Sequence, residues 1–389
     1  MNPYWDFDRV VDRRGTNSLK YDLARKVNPF LPEDFIPLWV ADMDFPAPRP
    51  VLDAMKARID HGILGYAALT DEGYYDAVVQ WMKTRHNFET CREEIVLSEG
   101  VVTAMGVAVR QLTRPGDKVL MHTPGYHPFE DQTLKNGRVP VYSRLVQHGQ
   151  RWEVDWDDFA RKVKDPGVKL LFLCSPQNPT GRVWTEDELR RMADLCFANG
   201  VFIFCDEIHN DLLRCGVHHV SLASLYPGGK DFLTATAPSK TFNIPGNSLA
   251  NLIVPDRDLA HEWRREGYCG HVNILSAEAC KAAYLYCADW LDALRVYLDG
   301  NFAWLKTFLE KNLPKAAFTI PDATYLAWVD LRGIGLSDQE MEERTSRAGL
   351  FIQFARDFIR SGEGFARINL GCPRSTEEKG MERLKKALA

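Results

Sequence analysis

The sequence predicts an α/β fold in which a mostly parallel sheet is covered by helices, followed by a smaller α+β C-terminal domain. Continuous apolar runs such as "VFIFCDE" (201–207) indicate strands that are buried on both faces. Amphipathic segments such as 185–200 alternate with these runs. This alternation is typical of proteins whose parallel strands are connected by helices.

The clearest alternation of elements lies between residues 93 and 254. A strand and turn are predicted over 93–100 and a buried helix over 101–112. Strands that end in Pro/Gly-rich turns are predicted over 117–125 and 168–181. Thr185 and Glu188 form a capping-box pattern, and Gly200 ends the helix that follows it.

The length of 389 residues exceeds what one ordinary core organises, so a large and a small domain are expected. Residues 1–48 are rich in aromatics and prolines and are predicted to pack on the small domain. Residues 49–290 form the predicted large, cofactor-binding domain, and residues 291–389 the small C-terminal domain. A long helix over 290–313 is expected to bridge them.

Net charge, cysteine content and the absence of certain motifs exclude several classes of protein and partner. The net charge is −5 and no Lys/Arg run suggests nucleic acid or a lipid surface as a partner. The nine cysteines are odd in number and lack a C-x-x-C pattern, which favours reduced core thiols. No H-E-x-x-H occurs, so no metal is expected. Without an apolar signal core or a run of about 20 apolar residues, the chain is predicted to be cytoplasmic.

Polar side chains follow the predicted strands, where ligands bind in sheets of this kind. They are expected to converge on one rim and are Ser98, Tyr126, Asn178, Asp206, His209 and Lys240.

Two of these residues are costly to bury. Asp206 ends an apolar strand, so it is either a helix cap or structural ion pair, or the partner of a cationic ligand group. Lys240 lies in "APSKTFNIPG" (237–246), between two predicted core strands. A loop lysine is usually solvated, but a buried one has a lowered pKa that suits Schiff-base formation.

The other candidates are weaker when taken alone. "NPTG" at 178–181 is a common turn, and Tyr126 is either a core aromatic or a platform for a flat ligand. The amides of Val101 and Val102 open a helix and could hold a phosphate, although Gly100 also fits an ordinary tight turn. Together, the phosphate site, the aromatic platform, the amide, the carboxylate and the lysine match pyridoxal 5′-phosphate (PLP).

The chain resembles fold-type I PLP-dependent enzymes of the aspartate aminotransferase superfamily. The matching motifs are "NPTG" (178–181), "DEIH" (206–209), "SK" (239–240) and "RIN" (367–369). Within the superfamily it resembles most the MalY/PatB-type cystathionine β-lyases. The stretches that carry this similarity are "LWVADMDFPAP" (38–48), "HGILGYAA" (61–68), "APSKTFNIPG" (237–246), "PDATYLAWVDL" (321–331) and "GEGFARINLGC" (362–372).

The resemblance implies a role for each matching residue. Lys240 would carry the cofactor covalently and move the Cα proton, Asp206 would pair with the pyridine nitrogen, and Asn178 would donate to the ring hydroxyl. Tyr126 would stack on the ring, with His209 at the position that contacts its hydroxyl. The resemblance assigns the phosphate to Val101, Val102, Ser239 and, from a neighbouring subunit, Tyr66. It therefore implies a homodimer with shared sites.

Arg367 resembles the residue that binds the substrate α-carboxylate, which a guanidinium fork would grip in bidentate fashion. Three positions depart from the aminotransferase pattern: His209 replaces a tyrosine, Ser248 an arginine and Ala237 a serine. Residues 350–364 also lack the Pro-Gly turn of related β-lyases, and this loop is expected close to the substrate side chain.

The resemblance implies β-elimination from L-cystathionine, L-cysteine or another S-substituted cysteine, giving a thiol, pyruvate and ammonia. An aminotransferase acting on an amino acid would use the same site. A regulatory protein on a retained PLP-enzyme fold is a third class, since some relatives bind transcriptional regulators. The full set of catalytic residue types and the lack of a helix-turn-helix extension argue against it.

Overall fold

The computed structural model of the chain describes residues 5–66, 69, 73–149, 151–268 and 270–389. Its strands are β1 Ile36–Pro37, β2 Ile95–Ser98, β3 Lys118–Thr123, β4 Val139–His148, β5 Arg151–Val154, β6 Val168–Cys174, β7 Phe202–Asp206, β8 Phe232–Thr236, β9 Ala250–Ile253, β10 Leu326–Asp330, β11 Leu350–Phe351, β12 Gln353–Phe354 and β13 Phe365–Asn369.

The α-helices surround these strands. They are α1 Ala24–Val27, α2 Arg49–Asp60, α3 Gly73–His86, α4 Val101–Leu112, α5 His127–Lys135, α6 Trp156–Val163, α7 Glu186–Ala198, α8 Leu222–Leu225, α9 Pro238–Thr241, α10 Arg257–Glu266, α11 Ile274–Tyr286, α12 Ala288–Asn312, α13 Asp338–Arg347 and α14 Arg374–Leu388.

The main sheet of the described part of the chain has the order β2-β9-β8-β7-β6-β3-β4-β5. Strands β8, β7, β6, β3 and β4 are parallel, whereas β9 is antiparallel to both β2 and β8. The predicted α/β class with a mostly parallel sheet is therefore confirmed. Because β2 runs in the same direction as β8, the carboxyl ends of these strands meet at one rim.

Local sequence signals place the elements as expected. The Thr185 hydroxyl accepts from the Glu188 amide at 3.2 Å, and the Glu188 carboxylate accepts from the Thr185 amide at 2.9 Å. This capping box opens α7, and Gly200 follows its end with φ +66°. The face of α7 that packs on the sheet is apolar and buried: Leu189, Met192, Ala193 and Cys196.

The C-terminal part has its own antiparallel sheet, in the order β10-β13-β12, with a separate apolar core. Helix α12 contributes to both cores: Leu291 and Leu294 pack in the large one and Leu305 and Leu309 in the small one. Strand β1 pairs in parallel with β11, which attaches the N-terminal segment to this part. The domain limits given above remain a prediction.

The structure also shows the state of the cysteine thiols and the polarity of the helices. The eight cysteines within the described residues are free thiols, six of them buried, and Cys269 lies outside those residues. No helix of the described residues has the length and apolar character needed to cross a membrane.

Candidate active site

A cavity of about 460 Å³ opens at the carboxyl ends of the central strands. Its wall is formed by residues at or after the ends of β2, β3, β6, β7 and β8, by the N-terminal segment and by the C-terminal part. Nine of the predicted site residues line it: Val101, Val102, Tyr126, Asn178, Asp206, His209, Ser239, Lys240 and Arg367.

Lys240 lies in the short helix α9, four residues beyond the end of β8. Its Nζ donates a hydrogen bond to the Ala41 carbonyl at 2.7 Å. Burial and the nearby Arg367 lower the pKa of the Lys240 amine to about 8, while Asp42 and Asp206 act in the opposite direction. An appreciable fraction of the amine is therefore neutral, and nucleophilic, near neutral pH.

Asp206 is the last residue of β7, the strand that pairs in parallel with β8. Its Oδ1 accepts from the Ile208 amide at 3.1 Å, and the residue is only 4% exposed. Burial raises the pKa of this carboxyl group to about 7, against the effects of that amide and of Lys240. A buried carboxylate that lines a cavity is well suited to meet a cationic group there.

Asn178 and Arg367 contact each other across the cavity wall. Arg367 Nη1 donates to Asn178 Oδ1 at 3.1 Å, which leaves the amide nitrogen of Asn178 available as a donor. Arg367 is itself buried, with Nη2 donating to the Trp39 carbonyl at 3.2 Å and to Gln353 Oε1. The Phe358 ring lies 4.9 Å from its guanidinium carbon. These contacts fix the orientation of the guanidinium group.

His209 and Tyr126 supply rings to the same cavity. Burial, followed by the charges of Lys240 and Arg367, lowers the pKa of His209 to about 3, so its imidazole is neutral. Its Nδ1 is buried and has no hydrogen-bond partner among the residues that the structure describes. Tyr126 follows β3 and packs edge-to-face on Phe129, with ring centroids 5.9 Å apart.

The N-terminus of α4 lies at the cavity wall. Gly100 precedes the helix with φ +135°, a conformation that only glycine adopts readily. The first amides of α4, at Val101 and Val102, have no partner within the helix, as at any helix N-terminus. Such a terminus attracts anions, and Ser239 adds a hydroxyl group to the same cavity.

Tyr66 is the predicted site residue that the structure places elsewhere. Its side chain is fully exposed, and it is absent from the residues that line the cavity. The last two residues of the 61–68 stretch, 67 and 68, lie outside the described residues.

Sequence reasoning did not identify three contributors to the site. The carbonyls of Trp39 and Ala41 are acceptors for Arg367 and Lys240, and Gln353 contacts Arg367. The prediction that loop 350–364 lies near the site did point to the region of Gln353. The contacts of main-chain carbonyls cannot be recognised from a sequence, because every residue has such a group.

A buried carboxyl group adjacent to the site offers a test of the electrostatics. Burial raises the pKa of Glu207 to about 8, and within the described residues its Oε2 accepts no hydrogen bond, with His219 Nε2 at 4.0 Å. Because the folded-state pKa is above the unfolded value, stability from this group is present at low pH and is lost as pH rises towards 8. The free energy of unfolding of Glu207→Gln, relative to that of the wild type, is therefore expected to be about 1–2 kcal/mol higher at pH 8 than at pH 6. Chemical denaturation at both pH values measures this; an equal difference at the two would contradict it.

The comparison with known proteins agrees with this geometry. The family model of aminotransferase class I and II matches residues 33–384. Cystathionine β-lyase PatB of Bacillus subtilis is 40% identical over 99% of this chain and 100% of its own length. Protein MalY of Escherichia coli is 33% identical over 99% of both chains. The chain belongs to the aminotransferase class I and II family.

Solved structures give the same result. The PLP-bound C-S lyase of Staphylococcus hominis superposes with a TM-score of 0.94 at 38% identity, over 99% of this chain and 98% of that one. Cystalysin of Treponema denticola, whose structure contains PLP, superposes with a TM-score of 0.93 at 35% identity, over 99% of this chain and 98% of that one. The predicted membership of the PLP-enzyme superfamily, with similarity to PatB and MalY, is confirmed.

Proposed function

We propose that this chain is a PLP-dependent carbon–sulfur β-lyase. It cleaves L-cystathionine, a related S-substituted cysteine or cysteine to a thiol, pyruvate and ammonia. The observation that carries the proposal is that half-buried Lys240 meets buried Asp206 and Arg367 in one cavity. The relatives named cystathionine β-lyase or C-S lyase, aligned over almost the whole chain, support this reaction above others of the family.

The residues present fit PLP. A buried carboxylate with one backbone donor, Asp206, would hold the pyridinium nitrogen, and Lys240 would bind the aldehyde carbon. The amide of Asn178 and the buried Nδ1 of His209, both in the cavity wall, would offer polar groups to the ring. The start of α4 and Ser239 would hold the phosphate.

The chemistry divides between cofactor and protein. When bound, PLP supplies an electron sink for a carbanion at the substrate Cα. Arg367 holds the substrate carboxylate by a charge-assisted fork and so fixes which Cα bond faces the Lys240 amine. Once the substrate amine has taken its place on the aldehyde carbon, the freed Lys240 amine would act as the base that takes the Cα proton, for which a pKa of about 8 is suitable. The Cβ–S bond breaks, and the sulfur leaves with the bonding electrons as a thiolate.

The alternative is an aminotransferase, a reaction that the description of the matching family names directly. It needs the same base and carboxylate grip and differs in where the proton returns. Borohydride reduction of protein reconstituted with PLP, followed by peptide mass spectrometry, tests the step common to both. We expect the cofactor on Lys240; a protein that binds no PLP would overturn both reactions.

The carboxylate grip gives a specific expectation. Arg367→Lys keeps a positive charge but loses the bidentate fork, so we expect kcat/KM to fall by about 10- to 100-fold, mainly through KM. Arg360→Lys, a change at an exposed arginine in the loop before β13, serves as the control and is expected to retain wild-type kinetics. Equal KM values for the wild type and Arg367→Lys would contradict the assigned role.

We further propose a cytoplasmic homodimer with shared active sites, in which Tyr66 reaches the phosphate of the neighbouring subunit. Its full exposure in the single chain supports this placement. The free, mostly buried thiols support a reducing compartment.

Subunit mixing tests the shared site. Tyr66→Phe is expected to weaken PLP binding about 10-fold, the value of one charge-assisted hydrogen bond. Mixing Tyr66→Ala with Lys240→Ala subunits should recover about a quarter of wild-type activity, because half of the dimers contain one intact site. Mixtures with no more activity than the separate proteins would contradict sharing.

A further inference from the structure

Segment 39–44 has no regular secondary structure, and its carbonyl groups accept hydrogen bonds from several side chains, Lys240 among them. The Ala41 carbonyl accepts from Lys240 Nζ at 2.7 Å and from the Tyr325 hydroxyl at 2.8 Å. Asn369 Nδ2 donates to two further carbonyls of the segment, at 2.5 and 2.6 Å. The position of this segment therefore determines where the acceptor for the Lys240 amine lies.

The acidic side chains of the same segment are held by two cations of the N-terminal region. Arg13 contacts Asp42 Oδ2 at 2.6 Å and Asp44 Oδ1 at 2.7 Å. Lys20 Nζ lies 3.0 Å from Asp44 Oδ2 and 3.6 Å from Asp42 Oδ1, and also donates to the Asp42 carbonyl at 3.3 Å. Two cations and two carboxylates thus form one balanced cluster.

Burying these charged side chains costs free energy of desolvation, so a role in positioning explains the cluster better than stability does. The Lys20 side chain has no exposed surface, and that of Asp44 is 3% exposed. Replacing such buried pairs with apolar residues is often neutral or stabilising, so they are weak evidence for stability alone. Here they clamp the segment that faces Lys240.

Several charged or titratable groups face Lys240. Arg367 and neutral His209 lie in the cavity, and the Tyr325 hydroxyl shares the Ala41 carbonyl. Asp206 and Asp42 are the acidic groups that act on the charge of the amine. Of these two, Asp42 is bound directly by Arg13.

We propose that Arg13 and Lys20 are positioning residues for Lys240. Their ion pairs hold segment 39–44 so that the Ala41 carbonyl lies beside the amine, and they neutralise the charge of Asp42 close to it. This inference rests on the proposed function to the extent that Lys240 carries PLP.

The pH dependence of the visible absorption of the holoenzyme reports on the nitrogen of Lys240 bound to PLP. In Arg13→Gln, Lys20 is left with two carboxylates, and the excess negative charge of the cluster favours the protonated nitrogen. We expect the spectral transition to move to higher pH by about 0.5–1 unit, less than for a charge in direct contact. The double variant Arg13→Gln/Asp42→Asn should return towards the wild-type transition.

Arg14→Gln is the matched control, because Arg14 is the exposed neighbour of Arg13. If Arg13→Gln does not fold, Asp42→Asn alone must move the transition to lower pH. A transition in the folded variants equal to that of Arg14→Gln would overturn the inference. Wild-type protein without any PLP absorption would instead overturn the proposed function.

Discussion

Lys240→Ala is expected to lower kcat/KM for carbon–sulfur cleavage by about 10⁴-fold, the upper end of what one general base contributes. The loss is large because the same amine would anchor the cofactor and take the Cα proton. The surroundings of Lys240 suit both roles, because burial and Arg367 lower the pKa of the amine to about 8. Steady-state kinetics with L-cystathionine, following pyruvate, measures the effect.

Lys240→Arg is the companion variant. It retains a cation but cannot form the covalent link or act as a base near neutral pH, since the guanidinium stays protonated. We expect it to be as inactive as Lys240→Ala. Activity above about a tenth of wild type in either variant would contradict the role of Lys240 as general base. A biological effect that persists undiminished in Lys240→Ala would favour the regulatory alternative.

Asp206→Asn is expected to lower kcat about 10²- to 10³-fold, as does the loss of a preorganised electrostatic partner in other enzymes. The amide has the same shape but no charge, so it can no longer keep the bound ring cationic. Cofactor binding to Lys240 should persist, which borohydride reduction would show.

The matched control is Glu207→Gln, a change of the same size at the adjacent buried carboxyl group. Glu207 faces Leu222 and Cys205, and it is absent from the residues that line the cavity. We expect its kcat to equal that of wild type. If both variants lost activity to the same extent, the effect would reflect the buried strand end in general and the assigned role of Asp206 would be wrong.

The parts of the site that the sequence could predict depend on local signals and on sheet topology. The apolar runs before Asp206 and Lys240 predict neighbouring buried strands, and β7 and β8 do pair in parallel. Side chains that follow parallel strands must meet at one rim, so their convergence follows without knowledge of the whole fold.

The remainder depends on long-range contacts that have no local signal. Strand β9 was predicted as a strand, but its antiparallel direction is determined by the path of the chain after Lys240. The pairing of Lys20 with Asp44 and the acceptor role of the Ala41 carbonyl depend on how an irregular segment folds back over the site. Hydrophobic periodicity indicates helices and strands but does not indicate the path of an irregular segment.

The most direct test of the proposed reaction uses holoenzyme with L-cystathionine, and with S-substituted cysteines as a panel. Pyruvate, ammonia and free thiol are measured together, in the presence and absence of an added keto acid. The β-lyase assignment predicts the three products in equal amounts without any keto acid. Amine exchange that requires the keto acid and releases no thiol would contradict it and establish the aminotransferase instead.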